Sequence, residues 1–382
     1  MTNPMIGNLI GGNQKNQVGA SVWQMIWFAL LSTLITLPLG VLATRFVLQK
    51  TFVEVLALQY LQIILPFNFT FALGVALSSF FIAIGRRWIV VGTTLILHCI
   101  NVVLNYLLIF GIRGVIPPLG IRGAAIGTIA AQIVFCGILF FLFQSSKHEQ
   151  LYRTRQFRFQ GQKFLPILKK WGLFGVTKLV LLFYWLIVTR IMLMAGGSAT
   201  LVLSIGCTLF GSLIFLNDGL NQAIITCASH ILGAKAWHLI WKLVRTSFLL
   251  LACIGGGLAI PCLLFRKQLL HVFIQKPLGT ADFSLLMTTS IWIWCFFVGE
   301  GTTRIFQSFI FASGDSKFNL IYQVVFELLL TVIPTYILIC VWDVSPDKIW
   351  MLLSITATLN TVCYFLRVRR DYGRKSYLIT EH

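Results

Sequence analysis

The sequence predicts an all-α, polytopic membrane protein of about ten transmembrane helices, and three observations carry that prediction. The 382-residue chain is 58% hydrophobic and only 11% charged, with a mean hydropathy of +0.87, whereas soluble domains carry about 25% charged residues. Its apolar residues gather into runs near the ~20 residues that cross a bilayer as a helix. Its basic residues, which give a net charge of +19, fall mainly between those runs. In a soluble chain such a balance points to nucleic acid. Here it reads as membrane topology, with no nucleic-acid partner.

The spans follow in order. The first, 22–44, contains Pro38. The second, 54–85, ends at Ile84-Gly85-Arg86-Arg87. The third and fourth are 88–111 and 121–144. A polar stretch follows, 146–170, with Lys147, Arg153, Arg155, Arg158, Lys163, Lys169 and Lys170. It reads as a solvated cytoplasmic linker, and its charge also suits anionic lipid. The fifth span, 171–195, carries Lys178, and the sixth, 200–232, carries Asp218. The seventh, 246–264, contains Pro261. The eighth, 284–312, carries Glu300, and the ninth, 318–342, carries Glu327. The tenth is 349–366, followed by a basic tail. Most loop Lys and Arg lie on the side of the N-terminus, which places both termini in the cytoplasm.

The chain also repeats itself. Ile84-Gly85-Arg86-Arg87-Trp88 is answered by Ser313-Gly314-Asp315-Ser316-Lys317, Pro38 by Pro261, and Gly12 by Gly233. Such repeats are the usual build of secondary transporters. They imply two pseudo-symmetric lobes: residues 1–145 with four helices, and 171–370 with six. The linker 146–170 joins them, residues 371–382 form a cytoplasmic tail, and an insertion falls around Gln275 to Asp282. The second repeat extends back from Gly233 to Pro166. The first begins shortly before Gly12, so two helices lack a counterpart.

The string Asn101-Val-Val-Leu-Asn105-Tyr-Leu-Leu-Ile-Phe-Gly111, with Leu119-Gly120-Ile121-Arg122-Gly123-Ala124-Ala125-Ile126-Gly127-Thr128, resembles the multidrug and toxic compound extrusion (MATE) family of the MOP superfamily. Gly314-Asp315-Ser316-Lys317 is similar to the family's Gly-Asp-Thr-Lys turn, and His230-Ile-Leu-Gly233-Ala234 to its Gln-x-Leu-Gly-Ala helix end. The resemblance implies twelve helices in two lobes of six, exchanging drugs or metabolites for H⁺ or Na⁺. It covers nearly the whole chain from the end of the family's second helix onward. A start placed too late, a truncated gene and a shortened transporter all fit that offset.

The chain has eleven acidic residues, and three of them, Asp218, Glu300 and Glu327, lie well inside spans. A carboxylate at mid-membrane costs several kcal/mol, roughly 2.5–3.5 on insertion scales, so it is paired, protonated or bound to a cation. Glu300 stands where the resemblance places the family's cation-binding acid in the tenth helix. Arg304 follows one turn later, in the favourable order for an ion pair, so self-neutralisation competes with coupling. Asn101 and Asn105 share a helix face and suit either a desolvated cation and substrate or helix–helix hydrogen bonding. Asp218 sits in Asn217-Asp218-Gly219-Leu220-Asn221-Gln222, either facing a cavity or in a self-satisfied cluster. Tyr184, Trp185, Trp292 and Trp294 are rings that suit an organic cation or a lipid boundary.

The sequence holds no GxSxG, HExxH or Walker A pattern and no paired Cys/His set, so no enzyme activity is expected. The expected cofactors are none beyond a coupling H⁺ or Na⁺, and the expected metal none beyond a Na⁺ at Glu300. The expected partners are membrane lipids and a small, cationic substrate, bound by a monomer. The expected function is antiport by alternating access in a bacterial inner membrane. The alternatives are a transport-inactive remnant, an accessory membrane protein, or a lipid-linked glycan flippase, which needs more intramembrane bases than Lys178, Arg190 and Arg304.

Overall fold

The computed structural model describes residues 2–47, 52–112, 114–115, 117–274 and 279–373. Among these residues nine helices are long and apolar enough to cross a membrane, and ten if one bent pair counts as a single span. The protein is an all-α, multi-pass membrane protein. Its described residues form two compact units, Thr2–Pro166 and Ile167 onward.

The first unit opens with α1 (Thr2–Gly11), whose first six residues are buried. Then come α2 (Val18–Val47), α3 (Phe52–Ile64), α4 (Phe69–Ala83), α5 (Arg87–Phe110), α6 (Ile121–Phe143) and α7 (Ser146–Tyr152). The start of α8 (Gly161–Ala195) closes the unit. Helix α4 packs against α1, α2 and α6, around a core that includes Ile6, Val22, Leu77, Phe80, Phe81, Leu139 and Phe143.

The second span is not the straight helix its apolar run suggests. It breaks by 52° between Val55–Phe67 and Phe69–Ala83. Pro66 lacks the N–H that would continue the ladder, and Leu65–Phe67 tightens into a 3₁₀ turn. Thr70 Oγ1 donates back to the Phe67 carbonyl at 2.8 Å, past the break.

The stretch 146–170 is also more ordered than a solvated linker. Residues 146–152 are helical, and α8 starts at Gly161, which places Lys169 and Lys170 on a helix. The segment between lies along α2. Trp23 donates its indole N–H to Thr154 O at 2.6 Å, and Trp27 to Phe157 O at 3.1 Å. The buried Gln24 donates to Arg158 O at 3.2 Å and accepts from Gln160 N at 3.2 Å.

The second unit holds the rest of α8, α9 (Gly197–Gly233), α10 (Leu239–Ala259), α11 (Arg266–Phe273), α12 (Thr280–Ser313), α13 (Ser316–Glu327), α14 (Ile333–Tyr336) and α15 (Asp347–Val368). Helix α12 is its axis, packed along α9, α10 and α15. Thr303 on α12 donates to Ala357 O at 2.8 Å, and Thr302 and Thr303 both bond Thr361. The seventh span starts earlier than expected, so Lys242 and Arg245 lie in α10 and not in a loop. The ninth widens into π-helical turns on either side of Pro334. Residues 275–278 and 374–382, which take in much of the expected insertion and tail, lie outside the described residues.

The internal repeat is visible in two pairs of turns. Gly85 and Gly314 both take a left-handed conformation, φ 78° and 76°, as glycine does after a helix end. The following amides reach back alike, Arg86 N to Phe81 O and Asp315 N to Ile310 O. At the ends of α1 and α9 the left-handed residues are Asn13 (φ 58°) and Lys235 (φ 55°). Gln14 N bonds Leu9 O there, and Ala236 N bonds Ile231 O. The structural equivalence thus runs Asn13 to Lys235, one residue off the pairing of Gly12 with Gly233.

Candidate functional site

Glycine brings the site together. On α12, Gly301 follows Glu300 and leaves room for its neighbours. A Cβ there would lie 2.5 Å from Leu251 Cδ1 and 2.9 Å from Asn217 Oδ1. Helix α9 is then fastened to α12 on both sides of Asp218. Asn217 Nδ2 donates to Phe297 O at 2.9 Å, and Ser308 Oγ donates to Asn221 Oδ1 at 2.7 Å. That fastening delivers Asp218 to Arg304.

Arg304 joins two carboxylates 82 residues apart in the chain. Its Nε donates to Glu300 Oε1 at 2.9 Å, and its Nη1 is paired with Asp218 Oδ1. The guanidinium side chain is 14% exposed, Glu300 26% and Asp218 52%. Lys178 on α8 lies within electrostatic reach of all three. Two acids and two bases therefore share one neighbourhood. Asp218 lies 15 residues before the end of α9 and Glu300 13 before the end of α12, about 20 Å along each helix at 1.5 Å per residue. Both acids thus lie near the middle of their helices.

The sequence pairs Glu300 with Arg304, and the structure adds Asp218 to them. Asp218 is half exposed and ion-paired to Arg304. Arg304, first read as a competing partner, is the hub. Glu327 is half-buried, bonded by Thr331, and within electrostatic reach of Glu300 without joining the bridge. About two turns beyond Glu300 along α12 lies a buried polar layer. Gln307 donates to Tyr364 Oη at 3.3 Å, and Tyr364 Oη donates to Asn319 Oδ1 at 3.0 Å. These residues went unmarked because each reads alone as an ordinary polar residue in a span.

The first unit assembles its candidates differently. Asn105 Nδ2 donates to Asn101 Oδ1 at 3.0 Å, and Asn101 Nδ2 donates to Thr128 Oγ1 at 3.3 Å. Gly123 and Gly127, one turn apart on α6, let it close on α5. A Cβ at Gly123 would lie 2.4 Å from Leu108 O, and one at Gly127 would lie 2.5 Å from Asn105 Oδ1. The two glycines thus bring α6 close to α5 beside the two asparagines. Asn105 Oδ1 is buried without a hydrogen-bond partner. Among the rings, Trp294 donates to Gly255 O at 2.9 Å and ties α12 to α10, while Trp185 and Trp292 pack against the core around Trp350.

Comparison with known proteins is decisive at this point. A sequence profile of the MatE family matches residues 2–107 and 174–337. The chain belongs to the MatE family. A probable multidrug resistance protein NorM of Thermotoga maritima is 25% identical over 78% of this MatE chain and 64% of its own length. A Bacillus cereus protein of the same description is 25% identical over 99% of this chain and 83% of its own. A MOP superfamily transporter from Pyrococcus furiosus superposes with a TM-score of 0.83 at 16% identity, over 98% of this chain and 83% of that one. The Vibrio cholerae MATE transporter VcmN in its bent form gives 0.82 at 16%, over 98% and 84%. At such identity these two show the fold alone.

Proposed function

We propose that this MatE protein is a secondary antiporter that exports organic cations, drugs or metabolites in exchange for a coupling cation, H⁺ or Na⁺. The observation that carries the reading is the meeting of Glu300, Asp218 and Arg304 near the middle of two long apolar helices fastened together. A packed, stability-driven membrane interior does not gather charge there, because each buried ion is costly. The family membership supports transport, and the relatives described as multidrug resistance proteins support the substrate class.

In this mechanism Glu300 binds the coupling cation from outside and exchanges Arg304 for it. That changes the charge beside α9 and α12. A conformational change follows only if the cation and the substrate favour different states. Asn101 and Asn105 serve as a neutral polar patch for substrate or as packing. The protein works in a bacterial inner membrane, as a monomer among lipids, with both termini cytoplasmic. Dye efflux from cells expressing wild type and Glu300→Gln tests this. Export is expected to fall to the level of cells without the protein, and wild-type export by the variant would remove the coupling role.

A further inference from the structure

Two carboxylates that converge from different helices, with buried oxygen beside them, are what a desolvated metal cation needs. Asp218 comes from α9 and Glu300 from α12. Asn217, one residue before Asp218, is 1% exposed, and its Oδ1 is buried without a hydrogen-bond partner against Gly301, one residue after Glu300. The point where the two acids meet is filled from within the chain, because the Arg304 guanidinium bonds both.

We propose that Arg304 is a tethered cation that holds the place of a metal ion between Asp218 and Glu300 and so makes this site blind to Na⁺, leaving protonation as the only cation binding it permits. This rests on the coupling role given to Glu300 above and narrows it to one ion.

Three features support it. The tether is one helical turn long, so the guanidinium is present at a high effective concentration that a free ion in solution does not match. An added Na⁺ would meet the positive Arg304 guanidinium beside both carboxylates, where like charges repel. A proton avoids that conflict. It adds to one carboxylate oxygen, removes that group's charge and frees one arm of the guanidinium, with no space needed for an ion. Arginine suits the part because its planar fork serves two carboxylates at once and stays charged at physiological pH.

The test measures Na⁺ binding by the full chain in detergent, so it is independent of transport. Thermal unfolding is followed by tryptophan fluorescence while NaCl replaces choline chloride at constant ionic strength. Wild type and Arg304→Lys are expected to melt at the same temperature in both salts. Arg304→Gln is expected to gain several degrees in Na⁺ only, and Arg304→Gln/Glu300→Gln to lose that gain. A Na⁺-specific rise in wild type, or none in folded Arg304→Gln, overturns the proposal. If Arg304→Gln does not fold, ²²Na⁺ binding to wild type decides: saturable binding abolished by Glu300→Gln overturns it, and none upholds it. If Glu300→Gln still exports dye, the coupling reading fails by itself, whatever the Na⁺ result.

Discussion

The two units share a scaffold and place their polarity on different helices. In the first, the polar pair Asn101 and Asn105 lies on α5, is neutral, and is met by Thr128 and Gly127 of α6. In the second, charge gathers on α9 and α12 as Asp218, Glu300 and Arg304. The matched turns at Gly85 and Gly314 give the register. Glu300 corresponds to Phe71 and Arg304 to Val75, both exposed apolar residues of α4. Asn101 and Asn105 correspond to Leu330 and Pro334. At these four positions one unit is polar where the other is apolar. The repeat preserves the turns and divides the polarity at these positions between its copies.

If that division is real, substitutions in the two units should differ in size. The largest effect is expected at Arg304. Arg304→Ala leaves Glu300 and Asp218 facing each other without compensation. It should cost on the order of 3 kcal/mol, the low end for breaking a buried pair, because half-exposed Asp218 is partly screened. Thermal unfolding in detergent reads this. A cost below about 1 kcal/mol would mean the bridge is an ordinary surface pair.

Gly301→Ala comes next, at about 1–3 kcal/mol for overpacking. Its Cβ meets Leu251 and Asn217 and forces α9 off α12, so it should also weaken export by separating Asp218 from Arg304. Asn105→Ala in the first unit is expected to cost little, about 0.2–0.5 kcal/mol for an i,i+4 side-chain pair within one helix, with export retained. Loss of export there would move the chemistry into the neutral pair.

The smallest effect belongs to His148, outside the spans. It is buried against Phe80, Phe81 and Tyr152, with Nε2 unpartnered. Burial, with Arg86 and Lys147 nearby, holds its pKa below the ordinary 6.5 despite the hydrogen bond to Leu142 O. The folded state therefore favours the neutral ring. The stability this lends is present above pH 6.5 and is lost as pH falls below it toward the depressed value. His148→Phe should flatten the dependence of the melting temperature on pH between about 5 and 7. An equal slope in the variant would assign that dependence elsewhere.

The all-α fold and most of the spans were legible in apolar run length alone, and the repeat in a few glycines and prolines. The break at Pro66 was hidden by the high mean hydropathy of the span, since hydropathy does not register a missing N–H. Asn13 was hidden by Gly12, the more obvious left-handed residue, though asparagine also tolerates that conformation. The docking of residues 153–160 was illegible because its partners, Trp23, Gln24 and Trp27, lie far off in the chain and read as parts of an apolar span. Within the site, Glu300 with Arg304 was legible from helical spacing. Asp218 was visible as an anomaly, but its meeting with Arg304 depends on how α9 packs against α12.

The most direct test of the charged cluster as coupling centre is proton movement driven by substrate. Proteoliposomes in sodium-free buffer, loaded with a pH-sensitive dye, receive a gradient of an organic cation. Wild type and Asn105→Ala should both move protons against the substrate, and Glu300→Gln should move none. Proton flux through Glu300→Gln equal to wild type, or its loss in Asn105→Ala alone, would contradict the account.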